Sequence, residues 1–301
     1  MRSSGRRGVR KPNRRIRFST LAALLIVAVL FAFVVYSLIP SEQTESQKPA
    51  TKAAIVDQLS MLYPNREFTN PAESLLHQAG LSVDVYGPES VTVDLYAWIP
   101  SAGYGLIIFR VHGGVNQQIQ GNPVGLYTSE QYSELGYPEE QLGDRVGVGR
   151  AYDRNDTVVF AVTPKFIKER SAADYPGTIV ILMGCYGLFS ADLPQAFIDR
   201  GASVVIGWKG LVGLEHTDKA TLVLLEAIVL DKLKIQDSVE RTLDRVGPDP
   251  ESKSTLTYYP ETKGDLVFSD LHPSGFFMVS SMAPISTRKE MVSELTSGRT
   301  C

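Results

Sequence analysis

Tyr104-Gly-Leu-Ile-Ile-Phe-Arg-Val-His112-Gly113-Gly114 and Gly177-Thr-Ile-Val-Ile-Leu-Met-Gly184-Cys185-Tyr186-Gly187 are the two stretches whose reading decides the fold. Each is a strand-length run of aliphatic and β-branched residues closed by glycine, the pattern of a strand buried on both faces of a parallel sheet. In open α/β sheets chemistry collects beyond the carboxyl ends of the strands. The two runs therefore deliver an imidazole, His112, and a thiol, Cys185, to one edge.

Downstream the pattern continues. Residues 193–200 read as a helix stopped by Gly201, and 202–206 as another buried strand with Gly207-Trp208-Lys209-Gly210 at its carboxyl end. The strongest helix spans 217–233, with Thr217 as its cap and Leu222, Leu225, Ile228 and Leu233 on one face. A second helix covers 236–246, and 255–259 and 265–268 read as late strands. Upstream, 55–62 has helical spacing, and Asn70-Pro71 offers a cap with proline at the first helical position of a helix closed by Gly80. Residues 81–86 alternate as a strand, and a short helix follows at 91–98. Between the two decisive strands, 114–176 holds one clear strand, 157–162, and a short helix, 164–168. An excursion of that length has structure of its own and covers one rim of the site. Alternating β and α elements with parallel-type strands give a three-layer α/β/α domain with a mostly parallel sheet.

The amino end is a separate unit. Residues 21–39 carry no charge and approach the roughly 20 residues that a helix needs to cross a bilayer. Eight basic residues and no acid stand in the first 17, so the positive-inside rule leaves this end in the cytoplasm and the remainder outside. The apolar run exceeds a signal-peptide core, and no small-x-small cleavage site follows it, so it reads as a retained single-pass anchor. The expected organisation is a basic cytoplasmic tail (1–17), a transmembrane signal anchor (18–40), a polar linker (41–52) and a folded domain (53–301). With eight of the 30 basic residues in the tail, 22 face 33 acidic residues in the rest, a balance of −11 that excludes a nucleic-acid-binding surface.

Cys185 and Cys301 are the only cysteines, too few for a disulfide framework, although a bridge between them is one alternative. His77, His112, His216 and His272 show no metal-ligand spacing, so no metal site is expected. His216 reads as a neighbour of a helix cap. Gly147-Val-Gly149 lacks the rest of a dinucleotide fingerprint and reads as a turn, and Asn155-Asp156-Thr157 fits a glycosylation sequon.

Cysteine-type peptide hydrolysis needs a thiol nucleophile, a proton donor for the leaving amine and hydrogen-bond donors for the oxyanion. Cys185 supplies the first, His112 the second, and the backbone N–H groups of Gly113 and Cys185 the third. Glycine after the histidine lets a scissile carbonyl approach the backbone. Val111-His112-Gly113 and Met183-Gly184-Cys185 resemble the two strand ends of the caspase-like cysteine peptidases, the group of caspases, metacaspases, legumain, gingipain, clostripain and separase. The resemblance covers about residues 81–233 and implies a His/Cys dyad, no cofactor, and cleavage of a peptide or protein substrate after a selected residue.

Gly207-Trp208-Lys209 is similar to the loop along which several of these enzymes bind substrate, which implies substrate contacts for Trp208 and Lys209. Asp192 is a conceivable pocket acid for cleavage after Arg or Lys. The Gln-Ala-Cys-Arg-Gly signature of caspases is absent, and the segment between histidine and cysteine is longer. Two functions follow: a membrane-anchored cysteine endopeptidase, or a catalytically inactive module of the same fold that binds a partner protein at the cell envelope.

Overall fold

The computed structural model describes residues 52–116, 120–150 and 157–271. The anchor, the basic tail, the sequon asparagine and Cys301 lie outside the described residues, as does all but one residue of the linker. Among the described residues no helix is long and apolar enough to cross a membrane.

Six strands form the main sheet: β1 (Lys52–Asp57), β2 (Ser82–Tyr86), β3 (Leu106–Arg110), β8 (Ile179–Leu182), β9 (Val204–Trp208) and β10 (Leu256–Tyr259). Their order is β10-β9-β8-β3-β1-β2, parallel throughout except for β10, which runs antiparallel to β9 at the edge. Every residue of β3, β8 and β9 is buried, as uninterrupted aliphatic runs require when both faces are covered. Alternate residues divide between the faces. Val56, Phe109, Leu182 and Val205 meet α2 (Val93–Trp98), α4 (Pro164–Arg170) and α5 (Asp192–Asp199). Ile55, Ile108, Ile181 and Ile206 meet α1 (Arg66–Gln78), α6 (Leu214–Leu225) and α7 (Ile235–Val246). The three-layer expectation follows from these two cores.

The excursion folds as a second sheet of β4 (Gly113–Val115), β5 (Val124–Gln131), β6 (Val146–Arg150) and β7 (Val158–Val162), antiparallel in the order β4-β5-β7-β6. A five-residue helix, α3 (Pro138–Leu142), lies between β5 and β6. β4 starts three residues after β3 ends, so the chain changes sheets at Val111-His112.

Several expectations are corrected. The segment read as helical at 55–62 is the inner strand β1 followed by a 3-10 turn, Leu59–Met61. Ala53-Ala54-Ile55-Val56 is fully buried, and so short an apolar run has no period that separates strand from helix. Helix α1 starts at Arg66, not after Asn70. Asn65 is its cap, accepting the Glu67 N–H at 3.1 Å, and Pro71 lies inside the helix. Helix α6 starts at Leu214 behind Gly213 and widens into a π-helical turn at Glu226–Leu230, so Thr217 is interior. Residues 265–268 contribute an isolated bridge, Val267 to Lys234, before α8 (Phe268–Leu271). Gly147-Val-Gly149 is strand β6, not a turn.

Candidate active site

β3 and β8 are neighbours, and their register fixes the geometry beyond them. Phe109 pairs with Leu182, and the Met183 N–H donates to the Phe109 carbonyl at 3.0 Å as the last rung. His112 and Cys185 each stand three residues past that pair, at matching heights on adjacent strand tips.

Past the last rung the two chains touch backbone to backbone. A Cβ on Gly184 would collide with the Val111 carbonyl oxygen and lie 3.0 Å from the Gly113 nitrogen. A Cβ on Gly113 would collide with the Cys185 carbonyl oxygen. The glycines that close the two sequence runs are therefore the condition for this approach. In the β4–β5 ladder the Tyr127 N–H donates to the His112 carbonyl at 2.9 Å and the Asn116 N–H to the Pro123 carbonyl at 2.8 Å. Hydrogen-bonded positions alternate along an antiparallel pair, so those of β4 are 112, 114 and 116. The Gly113 N–H points away from β5, towards the cysteine tip.

His112 is half-buried. Its backbone N–H donates to Gln58 Oε1 at 3.0 Å, and its ring lies 5.9 Å from that of Tyr127 at an interplanar angle of 51°. The Tyr127 ring occupies space left by two glycines, since a Cβ on Gly114 or Gly149 would run into it. That explains Gly114 of β4 and Gly149 of β6: they admit the aromatic wall beside the histidine.

Cys185 precedes a left-handed residue, Tyr186 (φ 63°), whose N–H donates to the Gly210 carbonyl at 2.9 Å. The thiol is free and half-buried against Val212. Its Sγ accepts the Val212 N–H at 3.4 Å and donates to the Val212 carbonyl at 3.7 Å. Burial pushes the thiol above its ordinary value, with the Asp249 charge adding to the rise and the Val212 N–H opposing it. Asp249 in turn secures the covering loop. Its carboxylate accepts N–H groups of Gly213 (2.8 Å), Glu251 (3.0 Å) and Ser252 (2.8 Å). Burial raises the Asp249 carboxyl, but these donors outweigh it and hold it below the usual carboxylate range. Ser254 Oγ accepts the Gly210 N–H at 2.8 Å, and Ser252 Oγ donates to the Leu211 carbonyl at 2.6 Å.

The residues expected to bind substrate are divided. Trp208 is 1% exposed, a correction to its expected place along a cleft. Its indole N–H donates to Thr217 Oγ1 at 3.0 Å, and that hydroxyl donates to the Met183 carbonyl at 2.8 Å. A large ring at the end of a central strand is core here. Lys209 is exposed and borders a cavity of about 420 Å³ with Phe189, Tyr258, Tyr259 and Glu261. Asp192 is exposed at the first turn of α5 and is not among the residues lining that cavity. His216 Nε2 lies 3.1 Å from the Gly247 carbonyl, beside Trp208.

Sequence reading missed Gln58, Tyr127 and Asp249, none of which lies in a motif. Gln58 follows a strand mistaken for a helix. Asp249-Pro250-Glu251-Ser252 carried a turn signal, but nothing tied it to Cys185.

No family model and no curated protein matches the sequence. Among solved structures, the fold matches the complex of Porphyromonas gingivalis RgpB pro- and mature domains, with a TM-score of 0.43 and 11% identity over 74% of this chain and 49% of that one. It also matches the Arg-specific cysteine proteinase gingipain R (RgpB), with a TM-score of 0.39 and 12% identity over 74% of this chain and 48% of that one. The chain spans about half the length of each.

Proposed function

We propose that the protein is a cysteine endopeptidase of caspase-like fold in which Cys185 is the nucleophile and His112 the proton carrier. The supporting observation is the side-chain-free contact of Val111-His112-Gly113 with Gly184-Cys185, which brings an imidazole-bearing and a thiol-bearing tip to one height on adjacent parallel strands. In the first step Sγ bonds to the scissile carbonyl carbon, and the thiol proton passes through His112 to the amine as the C–N bond breaks. Water, giving up its proton through His112, then cleaves the thioester and returns Cys185 to the thiol. The Gly113 N–H, turned away from β5, and the Cys185 N–H donate to the oxyanion. The substrate is a peptide or protein segment, with Lys209 on the border of its groove. The chain is a single-pass membrane protein through residues 18–40, with this domain outside the cell membrane.

The test is peptide-library cleavage by the full chain beside Cys185→Ala. Cleavage and labelling by a thiol-directed peptidyl probe are both expected to vanish in the variant, and undiminished cleavage removes Cys185 from the mechanism. A second reading, a non-catalytic binding module, is favoured by one feature: the thiol is covered by Val212 and raised, not activated. It predicts that Cys185 stays inert to the probe in the wild-type protein.

A further inference from the structure

We propose that Arg110, gripped by Asp57 and Asp218, is a positioning residue that sets His112 against Cys185. This rests on the reading of those two residues as a dyad. Arg110 ends β3 and stands two residues before His112. It is 1% exposed, at the base of a cavity of about 700 Å³ that Asp218, Asn65 and Phe68 also line. Nε and Nη2 fork onto Asp218, both at 2.8 Å, Nη1 meets Asp57 Oδ1 at 2.7 Å, and the guanidinium carbon lies 5.5 Å from the centre of the Phe68 ring. Both carboxylates have second donors, the Ser60 N–H (3.0 Å) on Asp57 and Asn65 Nδ2 (2.8 Å) on Asp218.

Each element held by this ion cluster reaches the site by one further bond. Asp57 ends β1, and its neighbour Gln58 accepts the His112 N–H. Asp218 lies in α6, and its neighbour Thr217 holds the Met183 carbonyl, two residues before Cys185. Arg110 is itself the last residue of β3, from which the chain leads to His112. One guanidinium thus joins the supports of both tips. Stability is a weak reason for such a cluster, because well-packed apolar side chains in place of a buried ion pair often do as well or better. What a bidentate Arg–carboxylate pair adds is fixed geometry.

The test is alkylation of Cys185 by iodoacetamide across pH, read on the Cys185 peptide by mass spectrometry in the full chain. Wild type, His112→Ala, Arg110→Met and Arg110→Lys are compared, with thermal melting to verify folding. The expected wild-type profile has an inflection that His112→Ala abolishes. Folded Arg110→Met loses the inflection as well, Arg110→Lys shifts it, and kcat for a cleaved peptide falls about tenfold or more at unchanged KM. A folded Arg110→Met protein with the wild-type profile overturns the proposal while leaving the dyad intact. A wild-type profile indifferent to His112→Ala overturns the dyad and the positioning role together. If Arg110→Met does not fold, Arg110→Lys and Asp218→Asn decide between the same outcomes.

Discussion

The two strand tips are supported in opposite ways. The histidine tip is fixed from below: its backbone N–H is held by Gln58, its carbonyl by Tyr127, and the ion cluster lies directly under it. The cysteine tip is held by the loop after β9, in which Val212 bonds to Sγ and Gly213 is fastened to Asp249. A fixed histidine tip beside a thiol bonded to a loop places the adjustable part of the proposed site on the cysteine side. Under the proposed function, a peptide reaching Sγ displaces the Val212 contacts while the histidine tip stays where it is.

The sharpest way to break this comparison is to separate the tips. Gly184→Ala drives a Cβ into the Val111 carbonyl, backbone against backbone, where no side chain can rotate away. A loss of ~3 kcal/mol or more in urea unfolding is expected, together with loss of peptide cleavage. A variant as stable as wild type would show that the tips have room to part.

Asp249→Ala should uncover the thiol without touching the histidine tip. Three backbone N–H groups lose their acceptor, at a cost of roughly 2–3 kcal/mol at neutral pH. Alkylation of Cys185 accelerates because the loop over it loosens. The pH dependence has a definite sign. The folded-state carboxyl is depressed, so its contribution is complete above the ordinary carboxylate range and is lost as pH falls through the depressed value. The stability gap between wild type and variant should therefore close only in acid below that range. The thiol behaves in the opposite sense: with its value raised, wild-type alkylation continues to climb beyond the pH at which an ordinary thiol levels off.

Thr217→Val tests the link between α6 and the cysteine tip. The hydroxyl accepts from Trp208 and donates to the Met183 carbonyl, all three residues being buried, so both partners are stranded by an isosteric change. The expected loss is about 1–3 kcal/mol, measured by denaturant unfolding, and it is smaller than that of Gly184→Ala because no backbone must move.

The sheet and the two tips were legible because buried parallel strands are written as uninterrupted aliphatic runs, and because close backbone approach leaves glycines. Their supports were not. Asp57 and Gln58 sit at the end of a strand whose four apolar residues have no diagnostic period. Arg110 was in plain view inside a run otherwise apolar, and a cation in a doubly buried strand requires a buried anion. Its partners are 53 and 108 residues away in the chain, where no local pattern can point. Trp208 illustrates the converse: a motif-like tripeptide placed it in a groove, whereas a bulky ring ending a central strand fills the core.

The smallest effect belongs to a charge that sequence alone made prominent. Asp192 opens α5, where an exposed acid near a helix N-terminus is an ordinary favourable charge. Lys209, by contrast, follows β9 directly and borders the cavity flanked by Phe189 and Tyr259. If the groove lies on the covered, adjustable side of the site, Lys209→Ala alters KM for a cleaved peptide. Asp192→Asn changes stability by no more than about 0.5 kcal/mol and leaves KM for substrates cut after Arg or Lys where it was. A selective loss of those substrates in Asp192→Asn would instead move the groove to the start of α5, and with it the part of the loop that has to open.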